Sequence, residues 1–261
     1  MTPNHQTSNN GNRHDLGQPT LGKFYGIGVG PGDPELLTIK GFRILREVDA
    51  IAFPAGRDGK PGMAEAIASK FIQPHQQQIP LSLPVVQDNS VLRVAWQTAV
   101  INLVPYLRQG KSLAFIAEGD VSFYSSFTYM MLGLKAKCPD LEIEIVPGIS
   151  SPLAAAAVVG IPLTIWSDKL AVLPALNSIL DLENALDWAE VIVLMKISNT
   201  YAQIWEVLRS RDLLNHSHVV AWATLTKQRI WSNLADYPHL VPPYASLLIV
   251  SRSESMTGLE D

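Results

Sequence analysis

Residues 25–38 read YGIGVGPGDPELLT, and this stretch decides the fold class. It leaves an apolar strand, turns through alternating glycines, and enters a helix that Pro34 can start and Glu35 can favour. Glycines at this density indicate tight backbone angles or a close approach of the backbone to a ligand. Because open α/β proteins bind ligands where strands turn into helices at the carboxyl end of a parallel sheet, we expect a binding site here.

Two nucleotide-binding patterns fail on spacing. The dinucleotide pattern G-x-G-x-x-G is broken because Asp33 stands three residues after Gly30, and the second strand, residues 50–54, lacks the acidic residue that binds ribose. Residues 17–23 nearly match the phosphate loop, but Phe24 replaces the Ser or Thr that binds magnesium, and a strand follows instead of a helix. These departures argue against a nicotinamide oxidoreductase and against a phosphate cradle.

The composition is that of a globular protein with no sign of a nucleic-acid or membrane partner. The 261 residues are 47% hydrophobic and 17% charged, with a net charge of −4, so we expect neither a disordered chain nor nucleic-acid binding. No apolar run reaches the roughly 18 residues of a membrane helix. The polar N-terminal segment lacks the apolar centre of a signal peptide, and the single cysteine, Cys138, suits a reducing compartment. We therefore expect a cytoplasmic protein that does not bind a membrane.

Strands and helices alternate from residue 22 onward, which predicts an α/β fold. We divide the chain into two α/β domains, residues 22–125 and 126–253, with a disordered polar tail at 1–21 and a second tail at 254–261. The glycine-rich stretch is expected to lead into a helix over residues 35–47. The closing strands are expected to be antiparallel because no helix separates them.

Two further strand ends carry small and acidic residues. Residues 117–127 read AEGDVSFYSSF, which alone is explained equally well as a turn with Asp120 as a local turn residue. Residues 146–156 read VPGISSPLAAA, where Ser150 or Ser151 can cap an Ala-rich helix. Each segment has a purely structural explanation, but the three together, in this order, are far more specific.

In this order the three segments resemble those of the tetrapyrrole (corrin/porphyrin) methylase family. The opening motif is matched by residues 29–38, the second by 118–120 and the third by 147–150. Two later segments are similar as well, LMK at 194–196 and WATLTKQR at 222–229. The resemblance covers nearly the whole chain and implies two α/β domains of the tetrapyrrole methylase type, a cleft between them that binds S-adenosylmethionine (SAM), and a homodimer.

Carried over by position, the resemblance also implies a set of SAM contacts. For Met195 and Ala223 a role in the core is the alternative, since an apolar residue at a strand end is commonly buried. The implied cofactor-binding residues are Pro31, Glu118, Gly119, Asp120, Phe123, Ser150, Ser151, Met195 and Ala223.

The substrate side of the resemblance rests on fewer residues. Val121 after the Gly-Asp pair, and the aromatic run that follows it, favour the members that methylate the C20 meso carbon of the macrocycle in cobalamin synthesis. Another macrocycle carbon, uroporphyrinogen III as substrate, and a non-catalytic tetrapyrrole carrier are the alternatives. Because the resemblance implies a polycarboxylate substrate, Arg57 and Lys60 are candidates for binding it, with a solvated surface charge as the alternative role of each. Asp33 is the candidate for substrate hydrogen bonding or for accepting the C20 proton, with helix capping as its alternative role.

A protein-held metal is not expected. The histidines are scattered, and His216 and His218 lack further ligands at zinc spacing. Any cobalt would belong to the substrate.

Overall fold

Five parallel strands build the first sheet of the computed structural model, which describes residues 20–56, 60–84, 86 and 88–252. Their spatial order is β3-β2-β4-β1-β5. The strands are rich in apolar residues, and the central β4 is buried along its whole length, as expected for a parallel sheet covered on both faces. The strands are β1 (Phe24–Gly28), β2 (Ala50–Pro54), β3 (Gln77–Leu81), β4 (Leu113–Ala117) and β5 (Ile143–Val146).

Helices cover both faces of this sheet, and the connections that lead to them leave a crevice at the carboxyl ends of the strands. Helices α1 (Ile39–Glu47) and α2 (Met63–Ala68) pack on one face, and α3 (Asn89–Arg108) and α4 (Phe127–Lys137) pack on the other. The neighbouring strands β1 and β4 send the chain to opposite faces, β1 towards α1 and β4 towards α4. Ligands of open α/β sheets bind at such a switch point, beyond the carboxyl ends of the strands.

The second sheet is mostly antiparallel, with the order β6-β7-β10-β8-β9. Only β6 and β7 run parallel, and the closing strands pair antiparallel, which confirms that prediction. Among the described residues no helix combines the length and apolarity needed to cross a bilayer. The elements are α5 (Ser151–Val159), β6 (Leu170–Leu173), α6 (Ile179–Trp188), β7 (Val191–Met195), α7 (Tyr201–Ser210), β8 (Ser217–Ala221), β9 (Arg229–Ser232) and β10 (Ser246–Ser251).

The α/β class is confirmed, but the helix predicted over residues 35–47 is wrong at its start. Asp33 caps only a short 3-10 turn, Pro34–Leu36. The chain then becomes extended at Thr38, whose Oγ1 accepts a hydrogen bond from the Gly41 N–H at 3.1 Å. Because a second N-cap stands at Thr38, the α-helix begins at Ile39.

The first sheet extends beyond the predicted boundary between residues 125 and 126. Helix α4 packs into the core of the first sheet, and β5 pairs with β1 along four residues. The divide between the two sheets therefore lies after β5. The extreme tails, 1–19 and 253–261, lie outside the described residues.

Candidate active site

Three glycine turns meet backbone to backbone at the carboxyl ends of β1, β4 and β5. Gly30 and Gly119 exchange two hydrogen bonds, N–H to O at 3.1 and 2.7 Å. A Cβ atom on Gly28 would lie 2.6 Å from the Gly119 carbonyl oxygen, and one on Gly148 would clash with the same oxygen. Only glycine fits at positions 28 and 148. The glycine pattern alone predicts a close approach to a ligand, whereas here the turns approach one another.

The carboxylate of Asp120 joins the second turn to the third. Its Oδ2 accepts a hydrogen bond from the Gly148 N–H at 2.8 Å. Its Oδ1 accepts one from the Ser122 N–H at 2.8 Å and one from the Ser122 hydroxyl at 2.5 Å. Because its carboxylate accepts three hydrogen bonds, Asp120 holds the second and third turns in a fixed arrangement.

These turns form one wall of a cavity of about 510 Å³. Small-molecule sites in proteins span roughly 300–1,000 Å³. The opposite wall comes from the second sheet, at the end of β7, the turn after β8 and the start of β10. Every residue that the resemblance implies as a SAM contact lines this cavity, namely Pro31, Glu118, Gly119, Asp120, Phe123, Ser150, Ser151, Met195 and Ala223.

The amino end of α5 brings two free hydroxyls to the cavity. Ser150 is the N-cap residue, yet its side chain makes no capping hydrogen bond, and Ser151 opens the helix. The first N–H groups of a helix have no intrahelical partner, and the helix dipole favours negative charge there. This corner of the cavity is suited to an anionic group.

The wall from the second sheet holds an unsatisfied polar atom. Ser246, at the start of β10, is 6% exposed, and among the described residues its Oγ alone is buried without a hydrogen-bond partner. Leaving such an atom unpaired costs about 1–3 kcal/mol. Ser246 belongs to the cavity lining beside Met195, but its Oγ has almost no accessible surface, and in β10 it shares a face with Leu248 and Val250, which pack in the core of the second sheet. The cavity wall itself is formed here by apolar side chains, among them Met195 and Leu247.

Glu118 is the one carboxylate of the described lining that lacks a hydrogen-bond or ion-pair partner. Water reaches its side chain, but the cavity walls crowd it, and this desolvation raises the pKa of the carboxyl group above its ordinary value. The cavity thus holds an acid that is harder to ionise than one on the surface.

Lys196 is the one cation of the described lining, and it was not among the residues predicted to bind the substrate. It follows Met195 with a left-handed backbone, φ +55°, and its N–H donates to the Ser246 carbonyl oxygen at 3.1 Å. Within the described ranges its ammonium group forms no ion pair. Its position at the end of the LMK motif, next to Met195, is the feature of the sequence that could have indicated its place at the cavity.

Two of the three candidate catalytic and substrate residues, Asp33 and Lys60, are not part of the described lining. The Asp33 carboxylate accepts a hydrogen bond from the Glu35 N–H at 2.9 Å, the capping role that was its alternative. Lys60 is exposed away from the described lining, and Arg57 lies outside the described residues. In the part of the chain that the structure describes, no group of three His, Cys, Asp or Glu could hold a metal ion.

Residues 23–237 match the sequence pattern of the tetrapyrrole (corrin/porphyrin) methylases. The chain belongs to this family. The resemblance carried by the three motifs is confirmed, and these motifs build the cavity wall of this methylase.

Curated relatives and solved structures agree with the family. The methylase is 30% identical to the cobalt-precorrin-2 C(20)-methyltransferase of Salmonella typhimurium over 88% of the chain and 97% of that protein. It is 31% identical to the cobalamin biosynthesis protein CobIJ of Mycobacterium tuberculosis over 88% of the chain, and it spans about half of that longer protein, 46%. The crystal structure of the cobalt precorrin-4 methyltransferase CbiF superposes with a TM-score of 0.68 at 23% identity, covering 88% of this chain and 94% of CbiF.

Proposed function

We propose that this methylase transfers a methyl group from SAM to C20 of precorrin-2, or of its cobalt-containing counterpart, in cobalamin biosynthesis. The observation that carries the proposal is the cavity lined by all nine positions implied as SAM contacts. The near full-length match to a relative named for this reaction supports the choice of carbon.

The lining suggests how SAM is held. The amino end of α5, with Ser150 and Ser151, binds the carboxylate of the amino-acid end. Met195 and Ala223 pack against the adenine. Phe123 supplies an apolar side wall, and the backbone around Gly119 contacts the ribose.

Methyl transfer from a sulfonium needs positioning above all. The donor sulfur, the methyl carbon and the macrocycle carbon must stand in line, and holding them so can supply about 7–11 kcal/mol of the barrier reduction. The electron-rich meso carbon is itself the nucleophile. A Ser, His and Asp triad is therefore not required.

The negative charges of the macrocycle need cationic partners. Lys196 stands at the cavity itself, and we assign it a substrate carboxylate. Lys60 and Arg57, the candidates from the sequence, belong to the loop between β2 and α2, whose ends Ala55 and Gly62 line the cavity. They remain proposed partners for more distant carboxylates.

We further propose a homodimer that works in the cytoplasm. Apolar side chains are exposed on the adjacent helices α3 and α4, among them Val94, Ile101 and Leu132, and such faces mark association surfaces. The thiol of Cys138 is free and buried, which suits a reducing compartment.

The function is tested by supplying SAM with precorrin-2 or with cobalt-precorrin-2 and locating the new methyl group by mass spectrometry and NMR. One methyl at C20 is expected. A methyl at another carbon, or methylation of uroporphyrinogen III only, would overturn the assignment. A protein that binds the macrocycle but shows no heat of SAM binding in calorimetry would be a carrier.

Two serines give a matched test of the SAM site. Ser150→Ala removes a hydroxyl of the lining that makes no capping hydrogen bond, and we expect SAM affinity to fall about 5- to 10-fold, the value of one hydrogen bond. Ser217→Ala removes a buried hydroxyl whose donor bond goes to the Leu213 carbonyl at 2.7 Å, away from the described lining. It should leave the SAM dissociation constant unchanged. Equal effects of both changes would contradict the placement of SAM.

A further inference from the structure

Glu118 is one of the implied SAM contacts, but a contact through its backbone would leave its carboxylate without a role. The cavity is to receive a polyanionic macrocycle, yet its lining includes a carboxylate with no partner among the described residues. A negative charge facing a polyanion weakens binding. Its position therefore calls for a role in the reaction that offsets this cost.

The backbone holds Glu118 in place on both sides. Ala117 accepts a hydrogen bond from the Val29 N–H at 2.9 Å, and Gly119 is locked to Gly30 by two hydrogen bonds. Glu118 thus directly follows the central strand β4 and belongs to the cavity lining. The backbone that carries it therefore needs little reorganisation when a reaction takes place beside it.

The other acidic groups near the cavity are already engaged. Asp120 accepts three hydrogen bonds that hold the turns together, and Asp33 caps the 3-10 turn outside the described lining. Glu118 differs from both because its oxygens are free and because it faces the cavity.

We propose that Glu118 is the base that removes the proton from C20 after methyl transfer, an inference that rests on the proposed function. In the first step the π electrons of the macrocycle form the C20–CH₃ bond, and the electrons of the S–CH₃ bond stay on sulfur. The macrocycle then carries the positive charge and a tetrahedral C20. In the second step the C20–H bond breaks, its electrons restore the π system, and the proton goes to a Glu118 oxygen.

The charge changes of the reaction suit this order of steps. Before transfer the sulfonium cation stabilises the ionised carboxylate of Glu118. After transfer the positive charge lies on the macrocycle, so Glu118 faces a cation at both stages and its carboxylate stays ionised. The charge is cancelled when the C20 proton passes to Glu118, which the desolvation of this carboxyl group favours.

The decisive experiment compares Glu118→Gln with Asp33→Asn on the purified full-length protein. Glutamine keeps the size and hydrogen-bonding capacity of Glu118 but cannot accept the proton. We expect kcat to fall about 100-fold or more, within the range for general base catalysis. The SAM dissociation constant from calorimetry should change less than about twofold. With macrocycle deuterated at C20, a primary isotope effect on kcat should appear or increase in Glu118→Gln.

The pH profile provides a second readout. Because Glu118 must be ionised to act, the wild-type kcat should decline as the pH falls through its raised pKa, and this limb should vanish in Glu118→Gln. The other titratable side chains that face the cavity are Asp120 and Tyr124 from the first half and Lys196 and Tyr244 from the second.

Three results would overturn the inference. A Glu118→Gln enzyme with full kcat would exclude Glu118 as the base, and one whose only defect is a weaker SAM affinity would make it a binding residue. If Asp33→Asn, and not Glu118→Gln, lost kcat and showed the deuterium isotope effect, the proton acceptor would be Asp33. A wild-type protein that does not methylate C20 would overturn the proposed function itself, an outcome distinct from these three.

Discussion

At the scale of single residues, the site is defined by two unpaired charges of opposite sign. Glu118 comes from the end of β4 in the first sheet, and Lys196 follows β7 in the second. They form no ion pair with each other, so both stay available to ligands. Motif matching points to the strand ends that carry them. It does not reveal that they are unpaired, because that depends on which neighbours the fold supplies.

Lys196→Gln should weaken substrate binding with little effect on the chemical step. Loss of one charge-assisted contact predicts a rise in KM for the macrocycle of about 5- to 20-fold, with kcat nearly unchanged. KM should also become less sensitive to salt, since one screened attraction is gone. Steady-state kinetics at two ionic strengths measure both effects.

The matched control for this lysine lies on the protein surface. Lys40→Gln removes a cation that is paired with Glu144 at 2.6 Å, remote from the described lining. It should leave the KM for the macrocycle unchanged. If both lysine variants raise KM equally, long-range attraction, not a contact at Lys196, is responsible.

At the scale of elements, the glycine turns determine how strand ends come together. The sequence correctly placed three glycine-rich turns at strand ends, and it identified α5 and the antiparallel closing strands. It misplaced the start of α1, because Pro34 and Glu35 favour a helix locally but the second cap at Thr38 decides where the α-helix begins. The helix preferences of single residues do not show which of the two N-caps, Asp33 or Thr38, starts the α-helix.

Gly148→Ala should disrupt the junction of the three turns. The new methyl group would clash with the Gly119 carbonyl oxygen, and overpacking of this kind costs about 1–3 kcal/mol. We expect a decrease of several degrees in Tm and a larger loss of SAM affinity, because the cavity wall itself shifts. Thermal unfolding and calorimetry test this.

Gly160→Ala provides the comparison. Gly160 has φ +79°, but a Cβ there would meet nothing within 4 Å, so only the backbone strain of about 1–2 kcal/mol remains. Its SAM affinity should match that of the wild type. Equal loss of SAM binding in the two variants would contradict the clash mechanism.

At the scale of the whole molecule, the two halves meet at the glycine-rich turn. The Asp33 N–H donates to the Thr224 Oγ1 at 2.9 Å, and a Cβ on Gly32 would lie 2.8 Å from the Ala223 carbonyl oxygen. The Tyr124 hydroxyl donates to the Val172 carbonyl oxygen at 3.4 Å, a second contact between the halves. The turn that predicts a ligand site therefore also holds the two cavity walls together.

Dimerisation is predicted to depend on the exposed face of α3 and α4. Val94 and Leu132 are 63% and 59% exposed, and a Val94→Glu, Leu132→Glu double change places unpaired charges where a second copy would pack. Sedimentation velocity should show twice the chain mass for the wild type and the single-chain mass for the variant, with similar Tm.

Ile39→Glu serves as the control for dimerisation. Ile39 is 88% exposed on α1, on the opposite face of the first sheet, and its change should leave the dimer intact. A monomeric wild type would contradict the homodimer, and a dimeric double variant would move the interface to another face.

The sequence by itself determined the α/β class, the family and the set of strand ends that build the cavity. These follow from motif identity and periodicity, which are local properties of the chain. Only the tertiary structure decided which side chains are free within the site. Asp33 and Asp120 are both acidic turn residues in the sequence, yet the fold engages their carboxylates, while it leaves Glu118, Lys196 and the Ser246 hydroxyl without partners among the described residues. Whether a polar group is satisfied depends on residues distant in the chain, and the packing of two sheets sets those distances.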